Sequence, residues 1–176
     1  MSDTPYLGET TDLILGQEFL TWLWYRSDTA PGAFTTADGT PFSVSMDQRI
    51  VVQGGEGDNR ETTSVSGNLS PLREARLGLA TGKKVTRALL LLQKEEMSWQ
   101  LTLKAEDFCL NSLKTPKIDH QDMDDEPDAL FLEKIYLMES CVELLDRLYM
   151  SFLRLRLSEK WQEEVRDMQG WLSRTE

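Results

Sequence analysis

Residues 82–104, GKKVTRALLLLQKEEMSWQLTLK, limit the folds open to this chain more than any other stretch. They read as two strands turned back on each other around Lys94-Glu95-Glu96. In the second arm Met97, Trp99, Leu101 and Leu103 alternate with Ser98, Gln100, Thr102 and Lys104, the period of a half-buried strand. In the first arm Leu89, Leu90, Leu91 and Leu92 put apolar side chains on both faces, which predicts a central strand covered on both sides. Helices before and after the hairpin are the expected covers.

The remaining segments supply those covers and more strands. Leu13–Tyr25 carries apolar residues at 15, 19, 20, 22, 23 and 24, so a helix capped by Asp12 would be apolar around much of its circumference. Its two tryptophans and tyrosine read as core packing, since no basic groove accompanies them. After the turn-rich Ser27–Pro41, residues Phe42, Val44 and Met46 alternate ahead of Arg49–Gln53. That pattern allows one long bulged strand or a hairpin across Asp47-Gln48. The glycines of 54–57 form a hairpin loop rather than a phosphate loop, which would end in Gly-Lys-Ser/Thr. A strand over Arg60–Ser66 follows, then a helix capped by Ser70, with Pro71 in its first turn and a stop at Gly82. Phe108–Leu113 reads as extended or irregular.

Asp128 to about Leu157 is the strongest helical signal. Phe131, Ile135, Met138, Val142, Leu145, Tyr149 and Phe152 are spaced 4-3-4-3-4-3, a heptad seam widened by Leu137, Cys141, Leu144 and Leu148. At 1.5 Å per residue such a helix is roughly 45 Å long, more than a small sheet covers. Part of its face is therefore expected to seek another copy of the chain, with Met138, Val142, Leu145, Tyr149 and Phe152 as the oligomer interface. Trp161, Val165, Met168 and Leu172 repeat the spacing in a final helix or a continuation. The expected fold class is α+β, a small mainly antiparallel sheet covered by helices with a long C-terminal helix. The expected layout is a flexible lead over 1–10, an α+β core over 11–117, an acidic linker over 118–127 and the helical part over 128–176.

Composition narrows function mainly by exclusion. The net charge of −11 is shared, with −6 over residues 1–82 and −5 over 83–176, so neither half resembles a nucleic-acid-binding domain by composition. Any contact with DNA has to come from a local patch. The one histidine, His120, lies in the acidic linker beside Asp119, Asp122, Asp124 and Asp125, in a spacing that fits no calcium loop, so no metal site is expected. A nucleophilic triad needs a base close to its serine or cysteine, whereas this histidine lies in an acidic run, and no Cys-x-x-Cys, His-Glu-x-x-His or nucleotide fingerprint occurs. The expectation is a protein without catalytic residues or cofactor. Cys109 and Cys141 read as reduced, small core residues. No apolar run is long enough to span a bilayer and no apolar signal core opens the chain, so a cytoplasmic protein is expected, nucleoid-associated if it binds DNA.

Gly82-Lys83-Lys84-Val85-Thr86-Arg87-Ala88-Leu89, followed by the strand ending Trp99-Gln100-Leu101-Thr102-Leu103, resembles the C-terminal half of the bacterial recombination-associated RdgC family. Ala80-Thr81-Gly82-Lys83 fills the family's helix-end position, Asn68-Leu69-Ser70 its helix start, and Asp119–Leu148 its closing acidic segment and helix. The early Leu15–Trp24 run looks like a motif of divergent members. The resemblance spans residues 11–150, without the family's N-terminal half, and Ser64-Val65-Ser66-Gly67 stands where the family has a basic run. It implies a non-enzymatic homodimer that encircles duplex DNA without sequence preference and limits RecA access during recombination, with duplex DNA or recombination proteins as partners. The basic positions left in the matched region are Lys83, Lys84 and Arg87, with Lys114 and Lys117 further on. The alternative is an acidic interaction or oligomerisation module that keeps the fold without DNA affinity.

Overall fold

Lys94 and Met97 close a two-residue turn, and from them the two arms of the hairpin pair in unbroken register as far as Arg87 and Lys104. In this computed structural model the described residues are 9–46, 49–54, 61–66, 79, 82–118 and 127–174. Their elements in chain order are α1 (Glu9–Thr29), β1 (Phe34–Thr35), β2 (Pro41–Ser45), β3 (Arg49–Gly54), β4 (Glu61–Ser66), β5 (Lys84–Lys94), β6 (Met97–Lys104), β7 (Leu110–Lys114), α2 (Pro127–Arg156) and α3 (Trp161–Ser173). Helix α1 begins at Glu9, inside the stretch expected as a flexible lead, so Asp12 lies within the helix rather than capping it. The expected helix entry at 68–71 and the acidic linker around His120 fall outside the described residues.

The strands form a seven-stranded sheet in which every described pair is antiparallel, giving the α+β architecture. Strand β5 is its centre. Strand β6 occupies one edge of β5, while β2 pairs with residues 91–93 and β3 with residues 84–88 on the other. Strands β2 and β3 thus follow one another along the same edge of β5, which fits the bulged-strand reading rather than a hairpin between them. The register on β5 differs by two residues between them (Ser45 opposite Leu91, Ile50 opposite Ala88), and a further shift falls between Val51 and Val52. Strand β4 closes a hairpin on β3, β1 extends β2, and β7 pairs with β6 within the segment read as extended or irregular. Burial alternates along β6 and along β5 from Arg87 onward as the pleat requires, with one extra residue at Thr86 where the register with β3 shifts.

One face of the sheet carries the core. Val44, Ile50, Val52, Val85, Ala88, Leu90, Leu92, Trp99 and Leu101 are all but fully buried there beneath α1, α2 and α3. Helix α1 lies close against the sheet because Gly16 permits it: a β-carbon there would sit 2.0 Å from the Ala105 carbonyl oxygen. Phe19, Trp22 and Trp24 fill the space between α1 and its neighbours, with Phe19 against Phe152 and Tyr149, and Trp24 edge-on to Trp171. Two polar ties fix this layer. The Trp99 Nε1–H donates to the Leu137 carbonyl at 2.9 Å, pinning α2 to β6. Glu164, 7% exposed, accepts from Trp22 Nε1 at 3.0 Å and from Arg26 at 2.7 Å, holding α3 to α1.

The expectation that both faces of the tetraleucine strand are covered is corrected. Among the described residues the helices before and after it pack on the same face, and Leu89 and Leu91 on the opposite one are only half-buried. Of the broad apolar surface of α2, the side of Leu137, Cys141, Leu144, Leu148 and Phe152 enters the core, and Met138 and Val142 stay exposed. A turn at 157–160 separates α2 from α3, so the final helix is distinct. Of the two cysteines Cys141 is buried as expected, whereas Cys109 is exposed in the loop before β7.

Candidate nucleic-acid interface

The open face of the sheet can be laid out row by row from the register. One row runs Val51, Arg87, Lys104; the next holds Leu89, Thr102 and Asn111, with Arg49 beside them; a third holds Ser45, Leu91, Gln100 and Lys114; a fourth Ser43, Gln93 and Ser98. Lys84 stands at the start of β5, opposite Gln53, where it borders both this face and a cleft. Five cations therefore share one surface, spread over β3, β5, β6 and β7, about 14 Å across at the usual strand spacing. At the alternating positions of β2, β3, β5, β6 and β7 that face this side there is no Asp or Glu. None of the five forms a salt bridge among the described residues.

Arg87 and Lys104 are direct cross-strand partners. Like charges so placed destabilise a sheet, and no described carboxylate offsets them. Around them the described positions of this face are hydroxyl and amide, with Val51, Leu89 and Leu91 as apolar spacers and no aromatic ring. The acids of the neighbourhood sit at hairpin ends: Glu95 and Glu96 in the β5–β6 turn, Glu106 and Asp107 after β6. Asp38, in the β1–β2 turn, accepts from the Thr36 hydroxyl and the Thr40 amide, which hold its carboxyl down to about 2.

Of the five basic residues singled out in the sequence, the fold brings Lys84, Arg87 and Lys114 together. Lys83 alternates with Lys84 onto the helical side, half-buried, with its side chain against Gly54. Lys117 is exposed beyond the end of β7. Arg49 and Lys104 join the face although the sequence reading passed over them. Lys104 shares the polar parity of Ser98, Gln100 and Thr102, so its face was legible; which cations stand beside it depends on register between strands distant in sequence.

The residues expected at an oligomer interface separate. Met138 and Val142 are exposed (51% and 52%), Leu145 and Tyr149 are half-buried, and Phe152 is fully buried against Phe19, Trp22 and Trp161. Phe152 therefore belongs to the core and presents nothing to a partner. A cleft of about 540 Å³ opens between α1, α3 and the start of β5, lined by Thr21, Leu79, Lys83, Trp161 and Met168 among others. Beside it Gly82 takes a φ of +94°, a left-handed turn that glycine adopts without strain. Among the described residues no group of three or more His, Cys, Asp or Glu side chains is placed to hold a metal ion, and no helix is long and apolar enough to cross a membrane.

Comparison with protein families, with curated proteins and with solved structures returned no match to this chain.

Proposed function

We propose that this chain is a non-catalytic, RdgC-like accessory protein of DNA recombination or replication that binds duplex DNA without sequence preference, through the open face of its sheet. The reading rests on one observation above the rest. A chain of net charge −11 sets Arg49, Lys84, Arg87, Lys104 and Lys114 on a single surface whose strand positions carry no carboxylate, and two of the five directly oppose each other. The overall charge does not prevent this, because salt screens charges beyond about 8 Å at physiological ionic strength. A local cationic face meets phosphates at short range while the acidic remainder is largely screened.

The absence of aromatic rings from that face favours a duplex over a single strand, since single-stranded binding without sequence preference relies on bases stacking on aromatic platforms. Phosphate contacts alone carry little sequence information. Binding is therefore expected in the weak range of non-specific association, roughly 10⁻⁴ to 10⁻⁶ M at physiological salt.

Fluorescence anisotropy of a labelled duplex across a salt series tests this. Each cation engaging a phosphate contributes about 0.9 to the slope of log K against log salt, so R87E combined with K104E lowers the slope by about 2. K83E, a substitution off the face, leaves it unchanged. No binding at low salt, or a slope indifferent to Arg87 and Lys104, overturns the reading.

A further inference from the structure

Helix α2 carries an apolar stripe that the core leaves uncovered. Phe131, Ile135, Met138 and Val142 follow one another at spacings of four, three and four residues, about 17 Å along the axis at 1.5 Å per residue. Phe131 is 63% exposed, Met138 and Val142 about half, and Leu132 and Tyr136 widen the surface. Ile135, Met138, Glu139 and Val142 line a shallow groove of about 340 Å³. Exposed apolar surface this continuous is uncommon unless it meets a partner.

The charges beside the stripe discriminate between partners. At 100° per residue, Glu139, Glu143 and Asp146 follow one another along the side of the stripe away from the core, and all three are exposed. Between residues 127 and 146 the helix carries Asp128, Glu133, Glu139, Glu143 and Asp146 against a single cation, Lys134. A second copy would bring the same acid-rich helix, leaving carboxylates facing carboxylates with one lysine per chain to offset them. A cationic helix meets no such opposition.

From this we infer that the N-terminal half of α2 is a docking site for a cationic amphipathic helix of another protein. The partner's apolar residues, recurring every three or four positions, lie along Phe131, Ile135, Met138 and Val142, and its Lys or Arg side chains reach Glu139, Glu143 and Asp146. This is the helix-in-groove mode, with apolar anchors supplying affinity and the charged rim supplying orientation and selection. The surface lies on the helical side of the molecule, away from the cationic sheet face, so the inference is independent of DNA binding.

The test is anisotropy of two labelled peptides with the same apolar stripe on a helical frame, one flanked by Lys and Arg, the other by Glu. The cationic peptide binds and the acidic one does not. M138D weakens the cationic peptide at least about tenfold, as expected for a central anchor. V142D does the same and stands in should M138D alter the circular dichroism melt. E139K with E143K weakens binding and removes most of its salt dependence. Equal binding of both peptides, or of neither, overturns the inference. So does a dimer in sedimentation equilibrium that M138D dissolves, since a second copy would then occupy the stripe.

Discussion

The two faces of the central sheet are built from the same strands and carry opposite chemistry. On the covered face Val85, Ala88, Leu90, Leu92, Trp99 and Leu101 are completely buried, and the indole N–H groups of Trp22 and Trp99 are held in specific hydrogen bonds. On the open face the intervening residues are hydroxyls, amides and cations around the half-buried Leu89 and Leu91. The tetraleucine run thus divides into two pairs of identical residues in different roles. Leu90 and Leu92 hold the fold together, each worth about 1.5–3 kcal/mol of transfer free energy. Leu89 and Leu91 space the charges of a surface. One face is shaped by the cost of leaving apolar area in water, while the other tolerates a repulsion that stability alone would remove.

Substitution within the leucine run gives the sharpest test of that division. L90A opens a cavity and is expected to cost about 2–5 kcal/mol in urea melts. L91A, one residue away, removes a half-exposed side chain and is expected to cost about 1 kcal/mol. Equal losses would break the comparison and place a cover over both faces.

The helical layer offers the next largest effect. E164A leaves the Arg26 guanidinium and the Trp22 indole N–H without their acceptor inside the α1–α3 contact, where the Arg26 Nε is already buried without a hydrogen-bond partner among the described residues. The expected cost is about 2 kcal/mol, reduced from that of a fully buried pair because Arg26 remains 30% exposed. The more exposed Glu18–Arg156 pair serves as contrast, and E18A should cost under about 1 kcal/mol. Thermal melts followed by tryptophan fluorescence would separate the two.

On the open face the sign reverses. R87S relieves the cross-strand repulsion with Lys104 and is expected to stabilise the fold by about 0.3 kcal/mol while weakening duplex binding. A loss of stability instead would mean that Arg87 has a structural partner and is not held in place for an anionic ligand.

The two thiols report on burial without any substitution. Burial alone pushes the Cys141 thiol up to about 11, so at mildly alkaline pH it stays protonated and shielded. Cys109 is exposed. A thiol reagent should modify Cys109 in the folded protein and reach Cys141 only on unfolding. Two fast thiols would show that α2 is not seated as described.

The smallest effect concerns Asp38, whose carboxyl is held near 2 by the Thr36 hydroxyl and the Thr40 amide. A depressed carboxylate contributes stability above its ordinary value near 3.8, and loses that contribution as pH falls toward 2. NMR titration of Asp38 checks the value, and D38N should flatten acid unfolding over that window.

Much of the architecture was legible residue by residue. The β5–β6 hairpin follows from strict alternation in one arm and a charged turn. The span of α2 follows from an apolar period sustained over about six turns. The face of α2 that enters the core was not legible, because the heptad seam and the Leu137–Leu148 set are both apolar, and only the shape of the sheet and α1 selects between them. Phe152 illustrates this: its spacing places it with Met138 and Val142, yet the ring lies among Phe19, Trp22 and Trp161. The candidate interface was half legible. Lys84, Arg87 and Lys114 stood out as basic positions, whereas Lys83 next door points the other way.

What the sequence determined alone is the set of local periods: where strands alternate, where helices run, and that no stretch has the composition of a nucleic-acid-binding domain. Those follow from interactions between residues a few positions apart, governed by backbone geometry. The tertiary structure decided which face of each element is covered and which charges become neighbours. Arg49, Arg87, Lys104 and Lys114 come from four strands, and only the pairing register, fixed by burying one face of the sheet, gathers them on the other.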